Sequence, residues 1–138
     1  MFNNTEYQKI WRTKNLEKHK TYQILYRKSS NGIYVMTKYA AKIRNIKFNL
    51  IKKDFSDWYD KQEQKCHYCE RTVEEFKNDK GLNPTAYRLS IDRKNNKIGY
   101  QLDNLVLCCG RCNTIKSDFF TEQEMLKIGT VLKVIFKK

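Results

Sequence analysis

Two short segments decide the fold of this chain: CHYC at residues 66–69 and CGRC at residues 109–112. Each segment spaces two cysteines so that both thiolates can reach one ion, and two such pairs complete a tetrahedral zinc site. A site with four sulfur ligands leaves no open position for water, so its role is structural. We therefore predict one zinc ion per chain, bound by Cys66, Cys69, Cys109 and Cys112.

The segment between the two cysteine pairs predicts a two-stranded hairpin. Tyr87, Leu89 and Ile91 alternate with polar residues, and Leu105 and Leu107 repeat this pattern after the polar loop at residues 93–104. Period-two alternation is typical of strands with one buried face.

Residues around the ends of this hairpin have distinct predicted environments. Asp92 is expected on the face opposite the core set, at the mouth of the loop. Cys108 is expected to point away from Cys109 and to be a core thiol. The sequence is helical from Arg111 onward, and Thr121 with Glu124 predicts a capping box at the start of a terminal helix.

The first half of the chain has the spacing of helices. Residues 5–28, 33–43 and 52–64 have helical periodicity, whereas residues 46–50 alternate as a short strand does. The dipeptide at residues 31–32, Asn-Gly, predicts a turn or a helix stop. The apolar residues of these segments are expected to lie in the core; in residues 5–28 they are Tyr7, Ile10, Trp11, Tyr22, Leu25 and Tyr26.

Composition favours a polyanionic partner. The 138 residues include 28 Lys and Arg against 15 Asp and Glu, a net charge of +13, spread along the chain. Such an excess is costly through self-repulsion, which makes nucleic acid the leading partner and an anionic membrane surface the second. We find no apolar run of the length of a membrane span and no apolar N-terminal signal, so the expected location is intracellular. An odd count of five cysteines in a reducing compartment favours metal binding over disulfides.

Because a four-sulfur zinc site cannot bind water, catalysis must come from other residues. The hairpin and the following helix are expected to bring together Asp92, Arg93, Asn113 and Lys116. Carboxylate and amide oxygens of Asp92 and Asn113 suit a hard ion such as magnesium, and the two cations suit phosphate oxygens. From chemistry alone each residue has an equally simple structural role: a turn residue, a helix cap and two surface charges.

The spaced motifs together resemble those of the HNH, or ββα-metal, nucleases. These motifs are Cys66-x-Tyr68-Cys69, Ser90-Ile91-Asp92-Arg93, Gly99-Tyr100, Asp103-Asn104-Leu105 and Cys109-x-x-Cys112-Asn113-x-x-Lys116-Ser117. The chain looks most like the zinc-ribbon branch, which includes phage and homing endonucleases and a rare-cutting eight-base restriction enzyme. The resemblance implies that Asp92 and Asn113 bind a catalytic Mg²⁺ or Mn²⁺, and that Asn104 ties the hairpin loop together.

One position departs from the family pattern. The residue after the aspartate is usually a histidine that acts as general base, and here it is Arg93. The restriction enzyme with the same Asp-Arg pair uses a tyrosine inside the first cysteine pair, so the resemblance implies that Tyr68 is the base, with His67 as the alternative. Arg93 is expected to neutralise charge on the phosphate, and Lys116 and Arg111 to bind the DNA backbone.

The sequence thus predicts an α+β protein, with a ββα-metal (HNH) core at residues 61–138 held together by the zinc site. Residues 1–60 are expected to form a helical, basic DNA-binding region. The predicted function is metal-dependent hydrolysis of double-stranded DNA, site-specific and of the restriction, homing or phage type, in a prokaryotic or phage-infected cell. A non-catalytic zinc-ribbon DNA-binding protein is the alternative, and RNA cleavage is not excluded. A homodimer is expected if the enzyme cuts both strands of a palindrome, and a monomer if it nicks.

Overall fold

The computed structural model describes residues 4–77, 79 and 88–137. Within these residues the helices are α1 (Asn4–Lys14), α2 (Leu16–Lys28), α3 (Ser30–Ile43), α4 (Lys52–Asp60), α5 (Val73–Phe76), α6 (Gly110–Lys116) and α7 (Glu122–Ile135). The strands are β1 (Ser90–Arg93) and β2 (Leu105–Cys108), and a 3₁₀ turn at Leu102–Asn104 precedes β2. No helix in the described ranges has both the length and the apolar character needed to cross a membrane.

The predicted hairpin is confirmed. Strands β1 and β2 pair antiparallel, with Ile91 opposite Leu107 and Asp92 opposite Val106. All four residues of β2 are buried. Tyr87, which the alternation placed at the start of the first strand, lies outside the described residues. A two-stranded sheet is marginal by itself, so its stability depends on the helices and the cysteine site packed around it.

Helices α6 and α7 begin at defined caps. The Sγ of Cys109 accepts the backbone N–H of Cys112 at 3.4 Å, which places the second cysteine pair at the start of α6. At α7, Thr121 Oγ1 accepts the Glu124 N–H at 3.3 Å, and a Glu124 carboxylate oxygen accepts the Thr121 N–H at 2.8 Å. The predicted capping box is therefore confirmed.

The expectation for residues 5–28 is corrected in two respects. The predicted helix is divided into α1 and α2 at Asn15, whose backbone N–H and Nδ2 both donate to the Trp11 carbonyl at 2.9 Å. Neither helix has a buried residue, and the apolar side chains predicted to be core are 37–66% exposed. Helical spacing shows which residues share a face, but it does not show whether another element covers that face.

The predicted stop at residues 31–32 is wrong, because the break lies at Ser29. The Ser29 Oγ accepts the Gly32 N–H at 3.1 Å and caps α3, so Asn31 and Gly32 form its first turn. Glycine is required at position 32, since a Cβ there would lie 2.0 Å from the Tyr26 carbonyl oxygen. This close approach fixes the angle between α2 and α3.

The segment at residues 46–50 is extended but forms a single bridge instead of a strand. Phe48 pairs with Tyr100, and the Tyr34 hydroxyl donates to the Leu50 carbonyl at 3.0 Å. Buried residues of α3 and α4 belong to one core cluster with those of the hairpin and the cysteine site. The boundary near residue 60 therefore does not separate two cores, and the functional division into a DNA-binding and a nuclease part stays a prediction.

Candidate metal centre and active site

The four predicted zinc ligands lie together. The Sγ atoms of Cys66, Cys69, Cys109 and Cys112 are all within 4.8 Å of one another, and all four residues are buried. The Sγ atoms of Cys69 and Cys109 are 3.8 Å apart. A tetrahedral zinc with Zn–S bonds of about 2.3 Å places its sulfurs at roughly this separation, so the site fits zinc binding.

The four thiols influence one another's protonation. Hydrogen bonds from Cys109 and Cys112 lower the pKa of the Cys66 thiol to about 7 and also lower the pKa of Cys69, whereas hydrogen bonds with Cys66 and Cys69 raise the pKa of Cys109 and Cys112. Thiolate is the form that binds zinc. Cys108 lies outside this cluster, and burial raises its pKa, which agrees with the prediction of a core thiol.

The first cysteine pair is fixed against the hairpin and α7. The backbone N–H of His67 donates to the Leu107 carbonyl of β2 at 2.8 Å. At Gly129 of α7, an added Cβ would lie 2.0 Å from the Tyr68 carbonyl oxygen. Backbone contact on both sides therefore determines where the Tyr68 side chain points.

Tyr68 and Asp92 form the hydrogen bond at the centre of the site. The Tyr68 hydroxyl donates to Asp92 Oδ2 at 2.5 Å, and both side chains are buried. Asp92 was expected at the mouth of the loop; it does face away from Leu89 and Ile91, but α6 and the first cysteine pair at residues 66–69, which we call the zinc knuckle, cover that face. Burial, and then the hydrogen bond to Asp92, raise the pKa of Tyr68. Tyr68 therefore keeps its proton beside the carboxylate in this structure.

Lys116 is the third member of this cluster, and its expected role as a DNA-backbone ligand is corrected. Its side chain is 0% exposed. The Nζ lies 3.4 Å from each carboxylate oxygen of Asp92 and donates to the Arg93 carbonyl at 2.8 Å and to Asn96 Oδ1 at 3.2 Å. All of these contacts are within the protein. A sequence signal was available, because Lys116 is four residues after the ligand Cys112 and so shares its inward face of α6.

Arg93 points away from Asp92, as neighbouring residues of a strand do. Its guanidinium donates to the carbonyls of Asn96 at 2.9 Å and Ile98 at 3.0 Å, and lies over the Tyr100 ring at 5.3 Å. The side chain is half-buried. Arg93 thus supports the hairpin loop, and its expected role in neutralising charge on the phosphate stays a prediction.

Asn104 is buried inside the same loop. Its Nδ2 donates to the carbonyls of Asn95 at 3.0 Å and Gly99 at 3.1 Å, while its Oδ1 accepts the Asn95 N–H at 3.0 Å. These three bonds close the loop across nine residues. This is the role that the resemblance gave to Asn104.

Arg111 lies in a separate cluster at the other end of α6. Its Nε is 3.6 Å from Asp79 Oδ2, and its guanidinium lies over the Phe136 ring at 5.1 Å. The buried Arg71 binds the same Asp79 through two hydrogen bonds of 3.0 and 2.8 Å and stacks on the same ring at 4.2 Å. Arg111 therefore joins α6 to Asp79 and to the residue that follows α7, and its side chain is 30% exposed. Its expected contact with DNA stays a prediction.

Asn113 completes the predicted pair of oxygen ligands. It directly follows Cys112 on α6 and is half-buried. Asn113 and Lys116 are three residues apart, so their side chains are neighbours on the surface of α6. A carboxylate and an amide oxygen together suit Mg²⁺ or Mn²⁺, with water and phosphate as the remaining ligands, and the pairing of Asn113 with Asp92 stays a prediction.

His67 has a different partner. Its Nε2 lies 2.9 Å from Glu122 Oε1, and its ring meets the edge of the Tyr68 ring with 5.1 Å between centroids. The imidazole is therefore directed at α7, while the Tyr68 hydroxyl is directed at Asp92. Glu122 was not among the predicted site residues, because its distance in sequence from His67 hides the contact.

Three comparisons place this architecture among known proteins. No protein-family model matches the chain. Among curated proteins, the chain is 32% identical over 126 residues to "Uncharacterized protein R423" of Acanthamoeba polyphaga mimivirus. The aligned region covers 91% of this chain and 21% of that protein. The chain thus spans about a fifth of the length of that relative.

A solved structure has a similar fold. The rare-cutting HNH restriction endonuclease PacI, described for its mechanism of DNA perturbation, matches with a TM-score of 0.67 and 27% identity. The match covers 77% of this chain and 78% of that chain. The chain has an HNH-like fold. Similarity to PacI also supports a nuclease-like function and DNA binding, and the four-cysteine cluster fits zinc.

Proposed function

We propose that this chain is a metal-dependent endonuclease that hydrolyses phosphodiester bonds in double-stranded DNA. The observation that carries the proposal is the buried hydrogen bond from Tyr68 to Asp92 in a chain with a four-cysteine cluster and a fold similar to PacI. A zinc ribbon that only stabilises a fold does not require a buried carboxylate beside it. The proposal extends to site-specific cleavage of the restriction, homing or phage type, and to a homodimer if both strands of a palindrome are cut.

Asp92 and Asn113 are the proposed ligands of the catalytic ion. When bound there, Mg²⁺ or Mn²⁺ would supply positive charge that polarises the scissile phosphate and offsets the Asp92 charge beside Tyr68. Asp92 is already held by two contacts, the Tyr68 hydroxyl and the Lys116 ammonium, so its orientation is defined. A ligand fixed in this way costs little reorganisation when the ion binds.

Tyr68 is the proposed general base. Tyr68 can accept a proton from water only as the phenolate, and a divalent ion held by Asp92 would favour that form by offsetting the carboxylate charge beside the hydroxyl. His67 is the alternative base, and its ring is directed at Glu122 instead. The contacts therefore favour Tyr68.

The basic N-terminal helices are the proposed DNA-binding region. Residues 4–28 carry seven Lys and Arg against two Glu. Neither α1 nor α2 has a buried residue, so these basic side chains lie at the surface, where a phosphate backbone can contact them. Exposed Tyr7 and Trp11 lie on the same helix as Lys9 and Arg12, a mixture that suits contact with nucleic acid.

A non-catalytic zinc-ribbon DNA-binding protein remains a second candidate, and one observation favours it. Both oxygens of Asp92 have partners within the protein, and the pKa of Tyr68 is raised, which is unfavourable for a base. In that case the buried residues Tyr68, Asp92 and Lys116 would only stabilise the fold.

Plasmid cleavage by zinc-loaded protein, with and without added Mg²⁺, tests the proposal. We expect cleavage that requires Mg²⁺ and that falls by at least about 10³-fold in Asp92→Asn, because loss of a metal ligand removes the charge that stabilises the transition state. Asp103→Asn is the matched control, since Asp103 is exposed in the same hairpin connection. Full activity of Asp92→Asn, or DNA binding without cleavage by the parent protein, would favour the second candidate.

A further inference from the structure

We propose that Lys116 is a positioning residue whose ammonium is the built-in counter-ion of Asp92, and that it shares this carboxylate with the divalent ion. This inference rests on the proposed function for the identity of that ion. The inference goes beyond the proposed function because it assigns a role to Lys116, for which the sequence predicted DNA contact. The role follows from burial and from the four contacts of the ammonium.

The ammonium cannot reach solvent, so its charge must be balanced inside the protein. Asp92 supplies the opposite charge, with 3.4 Å from Nζ to each carboxylate oxygen. The other two partners of the ammonium, the Arg93 carbonyl and Asn96 Oδ1, are neutral. Breaking a buried pair by removing one member is strongly destabilising, because the remaining charge has no partner.

The same contacts fix geometry. Lys116 extends from α6, which also carries Asn113, to the carboxylate and the end of strand β1. The bond to Asn96 continues this connection into the hairpin loop. One side chain thus connects α6 and β1, the two elements that carry the proposed ion ligands.

A cation so close to the carboxylate also affects the ion that binds there. The ammonium and a divalent cation repel each other, and both draw on the charge of Asp92. Removing the ammonium should therefore increase the affinity for the divalent ion. In protein without that ion, the same change should lower the free energy of unfolding. A residue that only filled space in the core would produce the second effect without the first.

Binding of Mn²⁺ to zinc-loaded protein, measured by electron paramagnetic resonance of the free ion, tests this competition. Lys116→Met keeps the unbranched shape and most of the length of the side chain and removes its charge, and we expect the Mn²⁺ dissociation constant to fall roughly tenfold, by analogy with the pKa effect of a neighbouring charge. Lys127→Met is the matched control: it makes the same change in net charge at an exposed position of α7, and its affinity should equal that of the parent. Unchanged or weaker Mn²⁺ binding by Lys116→Met would overturn the competition.

A second measurement separates this inference from the proposed function. Without divalent ion, Lys116→Met should unfold at lower urea than the parent, and Lys116→Met with Asp92→Asn should recover part of the loss, because the unpaired charge has gone. If no variant binds Mn²⁺, the proposed ion site is wrong, but this recovery still decides the role of Lys116. Absence of recovery would show that Lys116 is not the counter-ion of Asp92.

Discussion

The Tyr68 hydroxyl is the single group on which the proposed chemistry depends. We expect Tyr68→Phe to lower the cleavage rate by about 10²- to 10⁴-fold, the usual contribution of a general base, without loss of zinc. Tyr34→Phe is the matched control, since the Tyr34 hydroxyl is also buried and hydrogen-bonded but lies on α3. Single-turnover cleavage measures both rates. A parent rate that levels off near pH 6.5, the reference pKa of about 6.5 for histidine, would instead favour His67.

The same hydroxyl should contribute to stability in a pH-dependent way. Burial and the Asp92 bond raise the pKa of Tyr68, so the phenol form stabilises the native state. This contribution is fully present below the unfolded pKa of about 10 and is lost as pH rises above it. Without added divalent ion, Tyr68→Phe should therefore be less stable than the parent by about 1–3 kcal/mol at pH 7. The difference should shrink above about pH 10 in urea unfolding at a series of pH values. A difference that grows with pH would contradict this sign.

At the scale of elements, the zinc knuckle and α6 depend on the same four sulfurs. Cys69→Ser or Cys112→Ser should lose zinc and unfold the hairpin region, because binding energy at a closed site is folding energy. Cys108→Ser should retain one equivalent of zinc, since its thiol is outside the cluster. Elemental analysis with circular dichroism distinguishes these outcomes. A full equivalent of zinc in Cys112→Ser would show that the ligand set is wrong.

Helix α7 packs against the zinc knuckle at a glycine, where the two backbones are too close to accommodate a side chain. Gly129→Ala should destabilise the protein by about 1–3 kcal/mol, the usual cost of overpacking. The added methyl group would meet the Tyr68 carbonyl oxygen and displace α7 or the knuckle. Thr130→Ala, at the next and exposed position, should change stability by no more than about 0.5 kcal/mol. Thermal unfolding of the zinc-loaded proteins compares them, and equal midpoints for Gly129→Ala and the parent would contradict the contact.

Local signals predicted the second half of the molecule well. The cysteine spacing, the alternation in β1 and β2 and the Thr121 cap each involve residues within a few positions of one another. The spacing from Cys112 indicates that Lys116 faces inward, but its three partners could not be predicted from local signals because they lie at least 20 residues away in sequence. A lysine on a short helix is normally exposed, and only the assembled hairpin buries it.

At the scale of the whole molecule, positive charge and exposed apolar residues meet on α1 and α2. The apolar pattern there predicted core positions, and the described structure leaves them at the surface. Periodicity carries no information on whether a face has a partner. If that partner is DNA, the charge of these helices should appear in the salt dependence of binding.

Replacing Lys9, Arg12 and Lys14 by Gln should weaken DNA binding and reduce the slope of log affinity against log salt by about 0.9 for each phosphate that the variant no longer neutralises. The control changes Lys127, Lys133 and Lys137 to Gln, which removes the same charge from α7 and the residues after it. Fluorescence anisotropy with a duplex at several salt concentrations measures both slopes. Equal slopes for the two triple variants would show that α1 is not a specific part of the binding surface.

The two halves of the cysteine site are far apart in sequence, and this has a consequence for how the chain folds. Cys69 and Cys109 are 40 positions apart. Joining them through one ion closes a loop whose conformational entropy, for a cross-link of this span, amounts to about 4 kcal/mol in the unfolded chain. Zinc that binds before the hairpin forms would remove this entropic barrier in advance. Refolding should therefore be faster when zinc is present from the start than when it is added afterwards, which makes the metal a kinetic participant in assembly as well as a structural one.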